Sequence, residues 1–385
     1  MRPPYLLVIC LLVLVPQVCQ AQASPMAQSY LSRGNARFEK GDLDGAIADF
    51  AAALAFDSQL APAYVSRGNA RYAKKDLNGA IDDFNAAIQL NPRFANAYNS
   101  RGFVRQALGD SESALADFDT ALRLDPHLAP AFFNRGNIRT ARREADAAIA
   151  DYDRAIAINP RFADAYANRA VARCDKGDLD GAIADCNRAL MLNPRLAAAY
   201  VNRGSACFKK GDVQRAAADF TKAIEINPRD VEANFNMGNI LLEQKRLDEA
   251  IASYNKALEV NPDLALAYLG RGTARSERKD LAAAIDDFTR AIKLDPGLAT
   301  AYNNRGNALL AKGDAERALA DYNKAIEIDP KDPLAYLNRG ALRLLEGKDL
   351  EAQADFQQAL DTAGTSKQSI DERISQIKRR VAAHK

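Results

Sequence analysis

The sequence predicts an all-α solenoid: ten tandem helical hairpins closed by one further helix. Three observations carry this. From Ala27 to Ser366 the residue pattern recurs every 34 positions, ten times, without insertion. Inside each unit, small and apolar residues fall twice at helical spacing (i, i+3, i+4, i+7), so each unit holds two amphipathic helices. Between the helices stand helix-stopping pairs, Gly-Asp in mid-unit and Asn-Pro or Asp-Pro at its end.

The elements follow in chain order. Residues 1–23 read as a secretory signal peptide: Arg2, an apolar run from Tyr5 to Val15, Pro16, then Ala21-Gln22-Ala23, the small-x-small pattern of a cleavage site. The run is too short to span a bilayer. Cleavage is expected after Ala23, the alternative being an uncleaved anchor. Val18 is not the small residue that lipidation at Cys19 requires. Cys10 and Cys19 leave with the signal. Cys174, Cys186 and Cys207 remain, an odd number at helical positions, and read as small buried hydrophobes.

The ten units are 27–60, 61–94, 95–128, 129–162, 163–196, 197–230, 231–264, 265–298, 299–332 and 333–366. With each numbered 1–34, positions 20 and 27 are Ala throughout, position 8 is Gly or Ala, position 24 is Phe or Tyr except Cys186, and position 32 is Pro in eight units. Positions 4, 7, 8 and 11 form one stripe on the first helix, A; positions 20, 24 and 27 form the facing stripe on helix B. Small residues at the crossing let the backbones approach. Gly at 15 and Asp at 16, as in Gly41-Asp42, read as a helix stop and then an N-cap. A residue before Pro avoids the helical region, which ends helix B. Residues 367–385 are expected to supply a closing helix and tail. Ser369-Ile370-Asp371-Glu372 fits a capping box, and Ile370, Ile374, Ile377 and Val381 make the buried stripe.

These residues resemble the tetratricopeptide repeat, over about 340 of 385 positions. The resemblance implies a right-handed superhelix of stacked hairpins whose A helices line a concave, partner-binding groove. The chain departs from the family at positions 7 and 11, usually Leu and Tyr but here mostly Arg.

The departure at position 7 has a counterpart. Position 7 is Arg in nine units and position 23 is Asp in the same nine; in unit seven both change, to Met237 and Ser253. Removing one partner of a poorly solvated ion pair costs about 3–5 kcal/mol, whereas replacing both can be near neutral. Partners in different units would leave orphans on either side of unit seven. The pair is therefore expected within each unit.

A second stripe, positions 2, 5, 6 and 9, lies about 200° around helix A from the packing stripe. It carries Asn134, Asn168, Asn202, Asn236, Asn304 and Asn338 at position 6, Asn137 and Asn239 among others at position 9, and apolar residues such as Phe133 and Phe235 at position 5. An Asn amide can meet a peptide C=O and N–H together, ignoring side-chain identity. The register is similar to the Asn ladder in the superhelix of the enzyme that attaches N-acetylglucosamine to Ser and Thr, which implies an extended peptide held by its backbone with apolar pockets beside it. A solvated polar face or local helix contacts are the alternative. The Lys/Arg clamp with which family members grip an acidic C-terminal tail is absent: no unit has Lys at 5, or Lys or Arg at 2 or 6.

Composition argues against chemistry. The chain has two His, His127 and His384, at isolated positions, which cannot assemble a metal site or a triad. No Gly-rich phosphate loop precedes a Lys-Ser/Thr pair. A net charge of +2 with interleaved signs gives no electrostatic reason for a nucleic-acid partner. The reading is an exported (periplasmic or secreted), non-enzymatic scaffold with a protein or peptide partner, no cofactor, no metal, no small-molecule substrate, and membrane association only through partners. The alternatives are a structural adaptor in an envelope secretion or polysaccharide-export complex, and a recognition arm serving an enzyme in trans.

Overall fold

The computed structural model describes residues 24–384; the expected signal peptide, with Cys10 and Cys19, and Lys385 lie outside them, as does the side chain of His384. Two compact bodies divide the chain, at Lys176 and Gly177. The first holds α1 (Pro25–Glu39), α2 (Leu43–Phe56), α3 (Ala61–Ala73), α4 (Leu77–Leu90), α5 (Ala95–Ala107), α6 (Ser111–Leu124), α7 (Ala129–Ala141), α8 (Ala145–Ile158) and α9 (Ala163–Lys176). The second holds α10 (Leu179–Leu192), α11 (Ala197–Lys209), α12 (Val213–Ile226), α13 (Val231–Glu243), α14 (Leu247–Val260), α15 (Ala265–Glu277), α16 (Leu281–Leu294), α17 (Ala299–Ala311), α18 (Ala315–Ile328), α19 (Pro333–Leu345), α20 (Asp349–Thr362) and α21 (Lys367–His384). Among the described residues there is no strand, and no helix is long and apolar enough to cross a membrane.

Local chemistry ends the helices where it is needed. All ten residues at position 15 adopt positive φ, six of them Gly (Gly41 at 80°, Gly211 at 84°) and four not: Lys75, Arg143, Lys245 and Lys279. The turn geometry is thus imposed even where the side chain opposes it, at about 1 kcal/mol for an L-residue. Seven B helices are N-capped by Asp, such as Asp212 accepting from the Arg215 amide at 3.1 Å. At the far end Pro is only half of the stop. The Asn or Asp before it folds its side chain onto the amide two residues on, as Asn91 does to Arg93 at 3.0 Å.

Nine hairpins share one close contact. The position-24 ring is buried against the position-8 glycine: a Cβ on Gly204 would lie 2.8 Å from the Phe220 ring, and on Gly34 2.5 Å from Phe50. Ala170 replaces this Gly in the same unit in which Cys186 replaces the ring. Stacking of hairpin on hairpin uses positions 3 and 10 of helix A, a stripe the sequence reading overlooked. Ala63, Ala97, Ala131 and their equivalents to Ala335 are fully buried, as are Val104, Ile138, Ile240 and Leu342 at position 10. In unit one, which no unit precedes, these places are Ser29 and Ala36, both exposed.

The closing helix is α21, which packs Ile370 and Ile374 against Leu337, Phe356 and Ala363 and also buries Val381. The capping-box expectation at Ser369 is corrected. A 3-10 turn, Gly364–Ser366, runs straight into α21, so Ser369 lies inside the first helical turn and caps nothing. Cys186 and Cys207 are buried and Cys174 half-buried, with burial pushing the Cys207 thiol up.

The Gly–ring contact leaves no room for a methyl group. Gly204→Ala is expected to destabilise the array by about 1–3 kcal/mol through overpacking, despite the higher helix propensity of Ala. Urea unfolding of the two proteins measures it.

Candidate functional site

The Arg–Asp pairing lies within the hairpin, not between hairpins. In eight units the position-7 guanidinium donates to the position-23 carboxylate at 2.6–2.8 Å: Arg33–Asp49, Arg67–Asp83, Arg101–Asp117, Arg135–Asp151, Arg203–Asp219, Arg271–Asp287, Arg305–Asp321 and Arg339–Asp355. The carboxylates are buried; Asp219 is 4% exposed. Hydrogen bonding to Asp219 raises the Arg203 guanidinium above its ordinary value, and Arg33 holds Asp49 below the usual carboxylate range.

Three further partners surround the pair, none assigned from sequence. The position-11 Arg donates to the same carboxylate, as Arg105 does to Asp117 at 2.7 Å and Arg275 to Asp287 at 2.8 Å. The position-4 aromatic lies under the guanidinium, with Arg203 5.5 Å from the Tyr200 ring centre and Arg271 5.3 Å from Tyr268. Finally, the outer guanidinium nitrogen crosses to position 25 of the preceding hairpin, joining Arg101 to Asn85, Arg203 to Asn187 and Arg271 to Asn255 at 2.6–2.7 Å. One Arg therefore closes its own hairpin and bridges to the previous one. Arg33, with no hairpin before it among the described residues, is 55% exposed, against 18% for Arg203.

Unit seven replaces the whole assembly. Asn234, Met237, Leu241 and Ser253 stand where the aromatic, both Arg and the Asp stand elsewhere. Met237 and Leu241 join the apolar core, and the Asn234 amide turns back to the Pro228 and Asp230 carbonyls at 3.1 and 2.7 Å.

The second helix-A stripe is more deeply embedded than expected. Position 5 belongs to the core: Phe133 is 5% exposed, packed 4.8 Å from Phe162 and 6.0 Å from Tyr152. Phe133 therefore cannot wall a solvent-facing pocket, and the expectation for it is corrected; it joins the surface that stacks on the next hairpin. Phe235 is half-buried beside Tyr254. Asn134 and Asn202 are buried, while Asn168, Asn236, Asn304 and Asn338 are half-buried. The amides chain between successive A helices. Asn134 donates to Asn99 at 3.1 Å, Asn168 to Asn137 at 2.8 Å, Asn304 to Thr273 at 3.4 Å and Asn338 to Asn303 at 2.9 Å.

Position 9 has a structural duty too. Asn137, Asn239 and Asn307 accept from Tyr152, Tyr254 and Tyr322 at 2.9, 2.8 and 2.8 Å. Burial pushes these phenols far up, so they remain protonated donors. The signal was available in the sequence: every unit with Tyr at 24 has Asn at 9. Among the described residues no group of three or more His, Cys, Asp or Glu side chains could hold a metal ion.

Comparisons with known proteins follow the same period. Family models described as TPR repeat match residues 34–75, 68–109, 136–174, 238–277, 272–313 and 306–347. Models described as tetratricopeptide repeat match 95–128, 163–196, 197–230 and 220–252. No curated protein matches the chain. Among solved structures, it is similar to YrrB, a TPR protein with an unusual peptide-binding site, at 28% identity over 48% of this chain and 95% of that one, with a TM-score of 0.42. It is similar to MamA at 29% identity over 42% and 95% of the two chains, with a TM-score of 0.39. A chain of the Cut9–Hcn1 hetero-tetramer of the APC/C aligns over 92% of this chain and 83% of its own, at 11% identity and a TM-score of 0.57, which shows the shared α-solenoid fold.

Unit six suits a test of the pair, because position 11 there is Cys207 and Arg203 is the sole guanidinium on Asp219 among the contacts described. Arg203→Met and Asp219→Ser should each cost up to about 3–5 kcal/mol. The double variant, which reproduces Met237 and Ser253, should recover most of it. Urea unfolding, or hydrogen exchange in α11 and α12, reads the cycle; losses that simply add would refute the coupling.

Proposed function

The chain belongs to the tetratricopeptide-repeat family, and from that premise we propose that it is an exported, non-enzymatic scaffold that binds extended segments of other proteins along its A helices. The observation that carries the binding mode is the incomplete use of the position-6 amides. Asn168, Asn304 and Asn338 each commit one N–H to the preceding A helix, which leaves a second N–H and the carbonyl oxygen on a half-exposed side chain. Asn236 has no hydrogen-bond partner among the described residues. A peptide backbone supplies the matching acceptor and donor. The bonds to the neighbouring helix hold each amide in one rotamer beforehand, which lowers the entropy lost on binding. Asn134, being buried, is held by its bond to Asn99 of the preceding A helix. Absence of catalysis is supported by the family and by the chain's two isolated His residues.

Two measurements test this. Partners captured with the mature chain should bind more weakly when Asn168, Asn236, Asn304 and Asn338 are all changed to Ala. At about 0.5–1.5 kcal/mol for each hydrogen bond, the loss is about 2–6 kcal/mol if additive, with helix content retained. Undiminished binding would favour the adaptor reading, in which other surfaces carry the contact. For export, N-terminal sequencing of the protein from its native cell should find Ser24 first; recovery of Met1 on the soluble protein would overturn that part.

A further inference from the structure

We propose that the junction between the sixth and seventh hairpins is a built-in flexible joint. Neighbouring hairpins are otherwise held by directional contacts as well as apolar ones. Within residues 177–384, position 7 bridges backwards at every other junction: Arg203 to Asn187, Arg271 to Asn255, Arg305 to Thr289 and Arg339 to Asn323. At this junction Met237 bridges nothing. The socket for a bridge is still there. Thr221 donates to the Ala217 carbonyl at 2.8 Å just as Thr289 donates to that of Ile285 at 2.7 Å, but only Thr289 also accepts from an Arg, Arg305 at 3.1 Å.

A second tie changes in the same direction. Position 34, the residue before helix A, is apolar at three junctions of this body, with Leu196 buried and Leu264 and Leu298 half-buried. Before α13 it is Asp230, whose carboxylate caps its own helix by accepting from the Ala233 amide at 2.9 Å. Asn234 likewise bonds back to Pro228 and Asp230, where the other units place an aromatic under an Arg. The N-terminal end of α13 is thus satisfied locally. The last hairpin also has Asp at this place, Asp332, but keeps Arg339, Asp355 and Tyr336. Along the seam between α12 and α13 an open pocket of about 430 Å³ is lined by Thr221, Met237, Leu241 and Ser253, among others.

Among the contacts described, the junction is crossed by apolar packing of Phe220, Ala223, Ala233 and Ile240. Such contact is non-directional, whereas a forked guanidinium fixes distance and angle together. In a linear array stability is a sum of hairpin and neighbour terms, so the junction with fewest directional ties is where the array opens first. The consequence for binding is that the hairpins on the two sides of α13 can adjust their relative tilt to the curvature of a bound segment.

Hydrogen exchange on the full chain tests the joint. Amides of α13 should exchange at least about ten times faster than the corresponding amides of α11 and α15. Installing Asn234→Tyr, Met237→Arg and Ser253→Asp together should slow α13 by a similar factor and leave α15 unchanged. The reverse transplant in unit eight, Tyr268→Asn, Arg271→Met, Arg275→Leu and Asp287→Ser, should create a second fast-exchanging zone in α15, and it decides the matter if the first variant does not fold. Equal protection of α11, α13 and α15 in the unaltered chain would overturn the proposal. So would a folded first variant whose α13 exchanges as fast as before.

Discussion

A buried carboxylate must be neutralised, and in eight hairpins one Arg on the facing helix does this. Asp at position 23 sits on helix B with almost no access to water. An unpaired charge there would be costly, so helix A has to deliver a guanidinium to it. Arg203 reaches Asp219 through two nitrogens at 2.8 and 2.6 Å, and the fork fixes how the two helices face each other. The third nitrogen is left pointing out of the hairpin, toward the one before it. A requirement internal to one unit thereby supplies a link between units.

The same economy explains the aromatic and the glycine. The guanidinium lies over the position-4 ring, which shields it without competing for its hydrogen bonds. Close approach of the helices leaves no space for a Cβ at position 8, where the Phe220 ring already touches Gly204. In unit seven the pair, its aromatic and the second Arg are absent together. With Met237, Leu241 and Ser253 no charge is buried, Gly238 still meets Tyr254, and the hairpin survives as an apolar one.

The polar face of helix A has two uses that sequence position alone cannot separate. Asn137 and Asn239 hold buried tyrosines, so their carbonyl oxygens serve the fold. Asn168, Asn304 and Asn338 link adjacent A helices with one N–H and retain further capacity. An amide anchored in this way is a stiff recognition group, unlike a long charged side chain that would lose several rotamers on binding.

By itself the sequence determined the helices of the ten units, their ends and the Arg–Asp partnership. These depend on local spacing, on turn chemistry and on the matched change of Met237 and Ser253 in a tenfold internal comparison. It also held signals that went unread, since Asn234 changes with that pair and Asn at 9 accompanies every Tyr at 24. The tertiary structure decided what lies between units. Periodicity on one helix places residues on faces but does not say which face a neighbour covers. The position-5 side chains therefore looked like pocket walls until Phe133 was found against Phe162. The alanines at position 3 looked like filler until stacking buried them. The backward reach of position 7 to position 25 is likewise a distance between two hairpins, set only when their apolar surfaces are packed together.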